Sequence, residues 1–116
     1  MKRADDFPKI LMFRGHADMR KQAIGLADVV QQVMKENPFN DCLFLFCNRR
    51  RDIIKALYFD RAGFCLWTKR LDQNRFPWLK ESDDSNFEIS AEDLNLLLDG
   101  VDVFKRHKKL SFSSVS

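Results

Sequence analysis

Residues 42–71 read CLFLFCNRRRDIIKALYFDRAGFCLWTKRL, and no other block constrains the fold as much. CLFLFC carries no charged residue, and a strand that is apolar at every position has to be covered on both faces. Two more apolar runs follow, at residues 52–59 and 64–71, separated by Asp60, Arg61, Ala62 and Gly63. A short glycine-containing turn between runs rich in aromatic and β-branched residues predicts a hairpin. With Phe59 opposite Phe64, Ile53, Leu57 and Leu66 share one face with the two phenylalanines. Ile54, Ala56, Tyr58, Cys65, Trp67 and Lys69 share the other. The first face is expected to belong to the core and the second to be half buried.

The flanks supply helices. KILMFRG at residues 9–15 predicts a first strand closed by Gly15. Met19, Ala23, Leu26, Ala27, Val30, Val33 and Met34 then recur at helical steps and predict one apolar face. Asp18 is placed to cap that helix, and Gly25 within it implies close packing. The helix has to end before Pro38, because the residue ahead of a proline avoids helical angles. FEIS at residues 87–90 predicts another strand. In the following AEDLNLLLDG, Ser90 is the expected N-cap with Asp93 three residues on, Leu94, Leu97 and Leu98 point inward, and Gly100 is the stop. The order β-α-β-β-β-β-α predicts an α+β fold, a small antiparallel or mixed sheet of about four to five strands flanked by two helices. One domain is expected over residues 1–116, compact from about 9 to 102, with a basic C-terminal tail from about 103 to 116.

Charge is unevenly spread. Residues 48–80 hold 9 basic and 3 acidic side chains, residues 81–102 hold 8 acidic and no basic ones, and residues 103–116 hold 4 basic and no acidic ones. A basic middle next to an acidic block points to a partner or to an internal mask. The acidic block can equally well solvate the last helix. No apolar run approaches the roughly 18 residues of a membrane span, and MKRADDFPKI lacks the apolar core of a signal peptide. A cytoplasmic location and no membrane partner are therefore expected.

Catalytic motifs are missing. There is no glycine-rich phosphate loop and no GxSxG elbow. Cys42, Cys47 and Cys65 lie in apolar strands and read as buried small hydrophobes. His16 and His107 are too far apart in sequence to suggest a metal site. Of the carboxylates, Asp18 reads as a cap, Asp60 as a turn residue, and Asp83 with Asp84 as solvated loop. No catalytic residue, metal ligand or cofactor is expected. Phosphate binding is the better chemical candidate. Arg49, Arg50, Arg51, Lys55, Lys69, Arg70 and Arg75 fall on one sheet and its edges, and the hairpin pairing brings Lys69 and Arg70 to the end that carries the arginine turn. Such a patch attracts phosphates through counterion release and charge-assisted hydrogen bonds. Tyr58, Trp67, Phe76 and Trp78 lie near it in sequence and are candidates for stacking on unpaired bases. The structural alternative is a solvated turn with the tryptophans in the core.

These motifs also occur in a familiar order. DMRK at 18–21, PF at 38–39, LFLFCNRRRDIIKALYFD at 43–60, GFCLWTKRL at 63–71, RF at 75–76 and LLLDGVD at 96–102 resemble one family. It is the accessory protein, transposition protein B or second-reading-frame product, of bacterial insertion sequences of the sixty-six family. The DRAG turn departs from the family pattern, which often has a second glycine there, and the tail HKKLSFSSVS is particular to this chain. The resemblance implies a non-catalytic helper encoded beside a larger transposase that carries the strand-transfer chemistry. It marks Arg20, Lys21 and the basic block without assigning them roles. Taken with the basic patch, a transposition role makes DNA the expected partner, bound through the basic turn and sheet with Trp67, and Arg20 and Lys21 are candidate additional contacts. The alternative it leaves open is an adaptor that binds the transposase without touching DNA.

Overall fold

The structure, a computed structural model, describes residues 3–104. Five strands form one mixed sheet: β1 (Lys9–Phe13), β2 (Cys42–Cys47), β3 (Ile53–Asp60), β4 (Gly63–Arg70) and β5 (Asn86–Glu88), in the order β4-β3-β2-β1-β5. Helix α1 (Ala23–Gln32) lies between β1 and β2 in sequence, and α2 (Ala91–Leu98) follows β5. β1 and β2 are parallel, and every other pairing is antiparallel. The α+β class, the mixed sheet and the element order agree with the sequence pattern. Among the described residues no helix is long and apolar enough to cross a membrane.

Every residue of β2 is buried, because α1 covers one face of the sheet and α2 the other. On the α1 side, Leu26, Ala27, Val30 and Met34 pack on Leu11, Phe44, Phe46 and Leu57. On the α2 side, Leu94 and Leu97 join Ile10, Met12, Leu43, Leu45, Ile54 and Ala56. The hairpin has the expected register, Phe59 opposite Phe64, closed by a loop of only Arg61 and Ala62. Its burial differs from expectation. Ile54, Ala56 and Tyr58 are fully buried, whereas Leu66 and the two phenylalanines on the opposite face are only partly covered. A sheet covered on both sides leaves no half-buried face for the strands nearest its centre.

The start of α1 also differs. Asp18 does not cap it: the helix begins at Ala23, four residues later than an Asp18 cap would place it, with Gln22 as a cap residue that makes no side-chain bond. The Asp18 carboxylate instead accepts the backbone N–H of Arg20 and its guanidinium. The carbonyls of Met19 and Lys21, which a longer helix would use internally, accept the Lys55 ammonium. At the other end, Lys35 takes a left-handed φ of 58° and the Glu36 N–H returns to the Val30 carbonyl. This left-handed turn ends the helix before Pro38, and Val33 is exposed rather than on the apolar face. The N-terminus of α2 follows expectation, with the Asp93 N–H donating to Ser90 Oγ at 3.0 Å. Gly100 has the positive φ of a C-terminal stop. The packed body is longer than the sequence bounds of 9–102: Ala4, Phe7, Val103 and Phe104 are all buried in the α2-side core. The rest of the basic tail, including His107, lies outside the described residues.

Candidate nucleic-acid interface

The arginine turn has a defined architecture. The Arg51 N–H donates to the Asn48 carbonyl at 3.1 Å, which closes the turn over Arg49 and Arg50. Asn48 braces it from inside: its Oδ1 accepts the N–H groups of Asp52 and Ile53, and its Nδ2 donates to Asp52 Oδ1 at 2.6 Å. Arg51 sits at φ 62°, the left-handed region that glycine and asparagine occupy at least cost. The Arg51 carbonyl accepts the Phe76 N–H at 2.6 Å, tying the turn to the loop after β4. Arg49, Arg50 and Arg51 are exposed, and among the described residues none forms an ion pair within 4 Å. The Asp52 carboxyl is held below its ordinary pKa by its hydrogen bond from Asn48, with Arg50 and Arg70 adding to the effect.

The structure divides the remaining candidates. Arg70 is exposed and pairs with Ile53 beside the turn, and the Leu71 N–H donates to the Asp52 carbonyl. Arg75 is exposed and adjoins Phe76. Lys55 and Lys69 are engaged elsewhere. Lys55 is buried under the segment before α1, its ammonium donating to the Met19 and Lys21 carbonyls at 2.9 and 3.2 Å. Lys69 donates to the Leu98 carbonyl at 2.8 Å, where a cation suits the C-terminal end of a helix. Trp67 is half-buried against the α2-side core. Arg20 holds Asp18 and lowers that carboxyl to about 2. Lys21 is exposed, and its side chain lies along Gly25, which explains the glycine there. Of the other aromatics, Tyr58 and Phe76 are buried and Trp78 is half-buried. Cys42 and Cys47 are buried, and burial pushes both thiols up to about 12. Among the described residues no cluster of three or more His, Cys, Asp or Glu side chains is placed to hold a metal.

Two cationic groups, Arg14 and Lys80, and the imidazole of His16 beside them were missed by sequence reasoning. Because β1 and β2 run parallel, the residues that follow them emerge at the same edge of the sheet. The Ala17 N–H donates to the Cys47 carbonyl at 2.9 Å, which sets residues 14–17 against the arginine turn. The 78–85 segment is joined to the same edge. Trp78 Nε1 donates to the Phe13 carbonyl, the Gly15 N–H to the Leu79 carbonyl, and the Arg14 guanidinium to the Lys80 carbonyl. Gly15, at φ 85°, approaches Glu81 so closely that a side chain would crowd it. Residues 8–108 match the family described as IS66 Orf2 like protein. The chain belongs to that family. It is therefore an accessory protein associated with transposition of an insertion sequence, in a family not known as catalytic. Two curated relatives come from Sinorhizobium fredii (strain NBRC 101917 / NGR234). "Uncharacterized protein y4hO" is 39% identical over 94 residues, covering 81% of each chain. "Uncharacterized protein y4jC" is 29% identical over 96 residues, covering 81% of this chain and 80% of its own. No solved structure matches the chain.

Proposed function

We propose that this IS66 Orf2-like protein assists transposition by binding DNA phosphates through Arg49, Arg50 and Arg51, with Arg70 and Arg75 beside them. It carries out no chemistry itself. One observation carries the reading. Three arginines are exposed side by side on a turn braced by Asn48, and Arg51 holds a backbone conformation that glycine would adopt at less cost. Local stability gains nothing from an arginine there, whereas a phosphate gains a preorganised cationic fork. An adaptor role toward the transposase is a second reading, favoured by the exposed ring of Phe39. It packs on Phe59 and Phe64 at the end of the hairpin away from the arginines.

The test is a DNA titration over a salt series with wild-type protein and an Arg49→Ala/Arg50→Ala/Arg51→Ala variant. Each lost phosphate contact should reduce the slope of log affinity against log salt by about 0.9 on duplex, or about 0.7 on single strands. The loss should be alike for random and element-end sequences, since phosphate contacts position rather than specify. A folded triple variant that kept the wild-type slope would remove the turn from any DNA contact.

A further inference from the structure

The cationic end of the sheet is hollow as well as charged. Two adjoining recesses of about 440 and 370 Å³ share Arg51, Trp78, Leu79 and Lys80 in their walls. Arg14 completes the first, and Arg49 and His16 help to line the second. Each is within the size range that holds a small organic group, roughly 300–1,000 Å³. They open beyond the carboxyl ends of the parallel strands β1 and β2.

The lining is selective. Among the described residues, Asp102 is the acid in the first recess and Glu81 in the second, against three arginine or lysine side chains in each. Trp78 is the aromatic common to both, and the bond from its indole N–H to the Phe13 carbonyl holds the ring in place. The other stacking candidates do not reach this point: Tyr58 and Phe76 are buried, and Trp67 packs on the α2-side core. A fixed apolar ring among cations in a recess of this size suits a flat base with a phosphate attached. Bases of intact duplex are paired and stacked inside the helix, so only an unpaired nucleotide can enter. Two recesses that share a wall suit successive nucleotides of a strand.

We infer that this cleft holds unpaired nucleotides of single-stranded DNA, with a base against Trp78 and phosphates between Arg14, Arg51 and Lys80. The inference rests on the DNA reading above and specifies the form of DNA bound. A Trp67→Phe variant leaves Trp78 as the sole indole. Its fluorescence is titrated with oligo(dT), blunt duplex and thymidine monophosphate at one salt concentration. Oligo(dT) should quench the indole and bind tighter than either of the others. With affinity read from the anisotropy of a dye-labelled oligonucleotide, Trp78→Leu should weaken oligo(dT) binding by about 5- to 150-fold, the range for one stacked base, with little effect on duplex. Trp78→Phe, which keeps an aromatic face, should retain most of the affinity and shows that folding is not the cause of the loss. Duplex binding as tight as oligo(dT), or equal affinities for Trp78→Leu and wild type, would overturn the inference while leaving the arginine turn as a duplex contact. Saturation by thymidine monophosphate at lower concentration than oligo(dT) would make the cleft a free-nucleotide site and overturn it too. Absence of binding to every DNA form at low salt would overturn both proposals.

Discussion

Replacing Lys55 with methionine separates a structural cation from a DNA-binding one. Lys55 lies in the middle of β3, only 8% exposed, on the same face as Leu57. Its stem passes under residues 19–21 and its ammonium reaches two backbone carbonyls there. Lys55→Met keeps an unbranched stem of similar length and removes the charge. Hydrogen bonds to a charged group contribute about 1.5–3 kcal/mol net. Here the Met19 segment is half-buried and Lys21 exposed, so water takes over part of the lost bonding, and the methionine is easier to desolvate than an ammonium. A net loss of about 2 kcal/mol is expected, which for a domain of this size lowers Tm by roughly 8 °C. Urea unfolding should show a lower midpoint at unchanged m-value. The salt slope of DNA binding should stay at the wild-type value. The opposite pair of results, stability within about 0.5 kcal/mol of wild type and a slope reduced by about 0.9, would mean that the ammonium leaves its carbonyls for a phosphate.

Four further outcomes are expected. Arg61 holds φ 57° in the β3–β4 turn, so Arg61→Gly should raise stability by about 0.5–1 kcal/mol in urea unfolding while Arg61→Ala should not. Leu57 is fully buried, so Leu57→Ala should cost about 2–5 kcal/mol, whereas exposed Arg50→Ala should stay within about 0.5 kcal/mol. Ser90→Ala removes the side-chain bond to the Asp93 N–H in the first turn of α2 and should cost about 1 kcal/mol by the same assay. Arg20 lowers the Asp18 carboxyl from 3.8 to about 2 in the folded chain, so the stability it contributes is present above about pH 4 and lost as pH falls toward 2. A carboxyl titration by NMR should find that value in wild type and only a partial return toward 3.8 in Arg20→Ala, because the backbone N–H of residue 20 still donates to the carboxylate.

Much of the scaffold was legible along the chain. Alternation with a two-residue loop defines the β3–β4 register, because a one-residue slip would exchange every side chain between faces. CLFLFC announces a central strand because nothing in it tolerates water. Ser90 and Gly100 mark the ends of α2 by local chemistry alone. The N-terminus of α1 was misplaced for a local reason too: Asp18 met an arginine two residues away before it met a helix. The exposure of the three arginines follows from a turn that Asn48, three residues from Arg51, closes on itself.

The partners of the lysines and the outline of the cleft came only from tertiary structure. The sequence spacing of Lys55 on an apolar face gives no sign of two carbonyls more than thirty residues away. Lys69 likewise reads as a surface cation until α2 ends against it. Arg14, Lys80 and Trp78 are distant from the arginine turn in sequence. They meet it because β1 pairs parallel with β2 and the 78–85 segment bonds back to the end of β1. Local pattern specifies which face a residue occupies, since strand and helix periods are properties of a few consecutive residues. Which strands become neighbours depends on burying both faces of β2 at once, a packing condition that only the whole chain can satisfy.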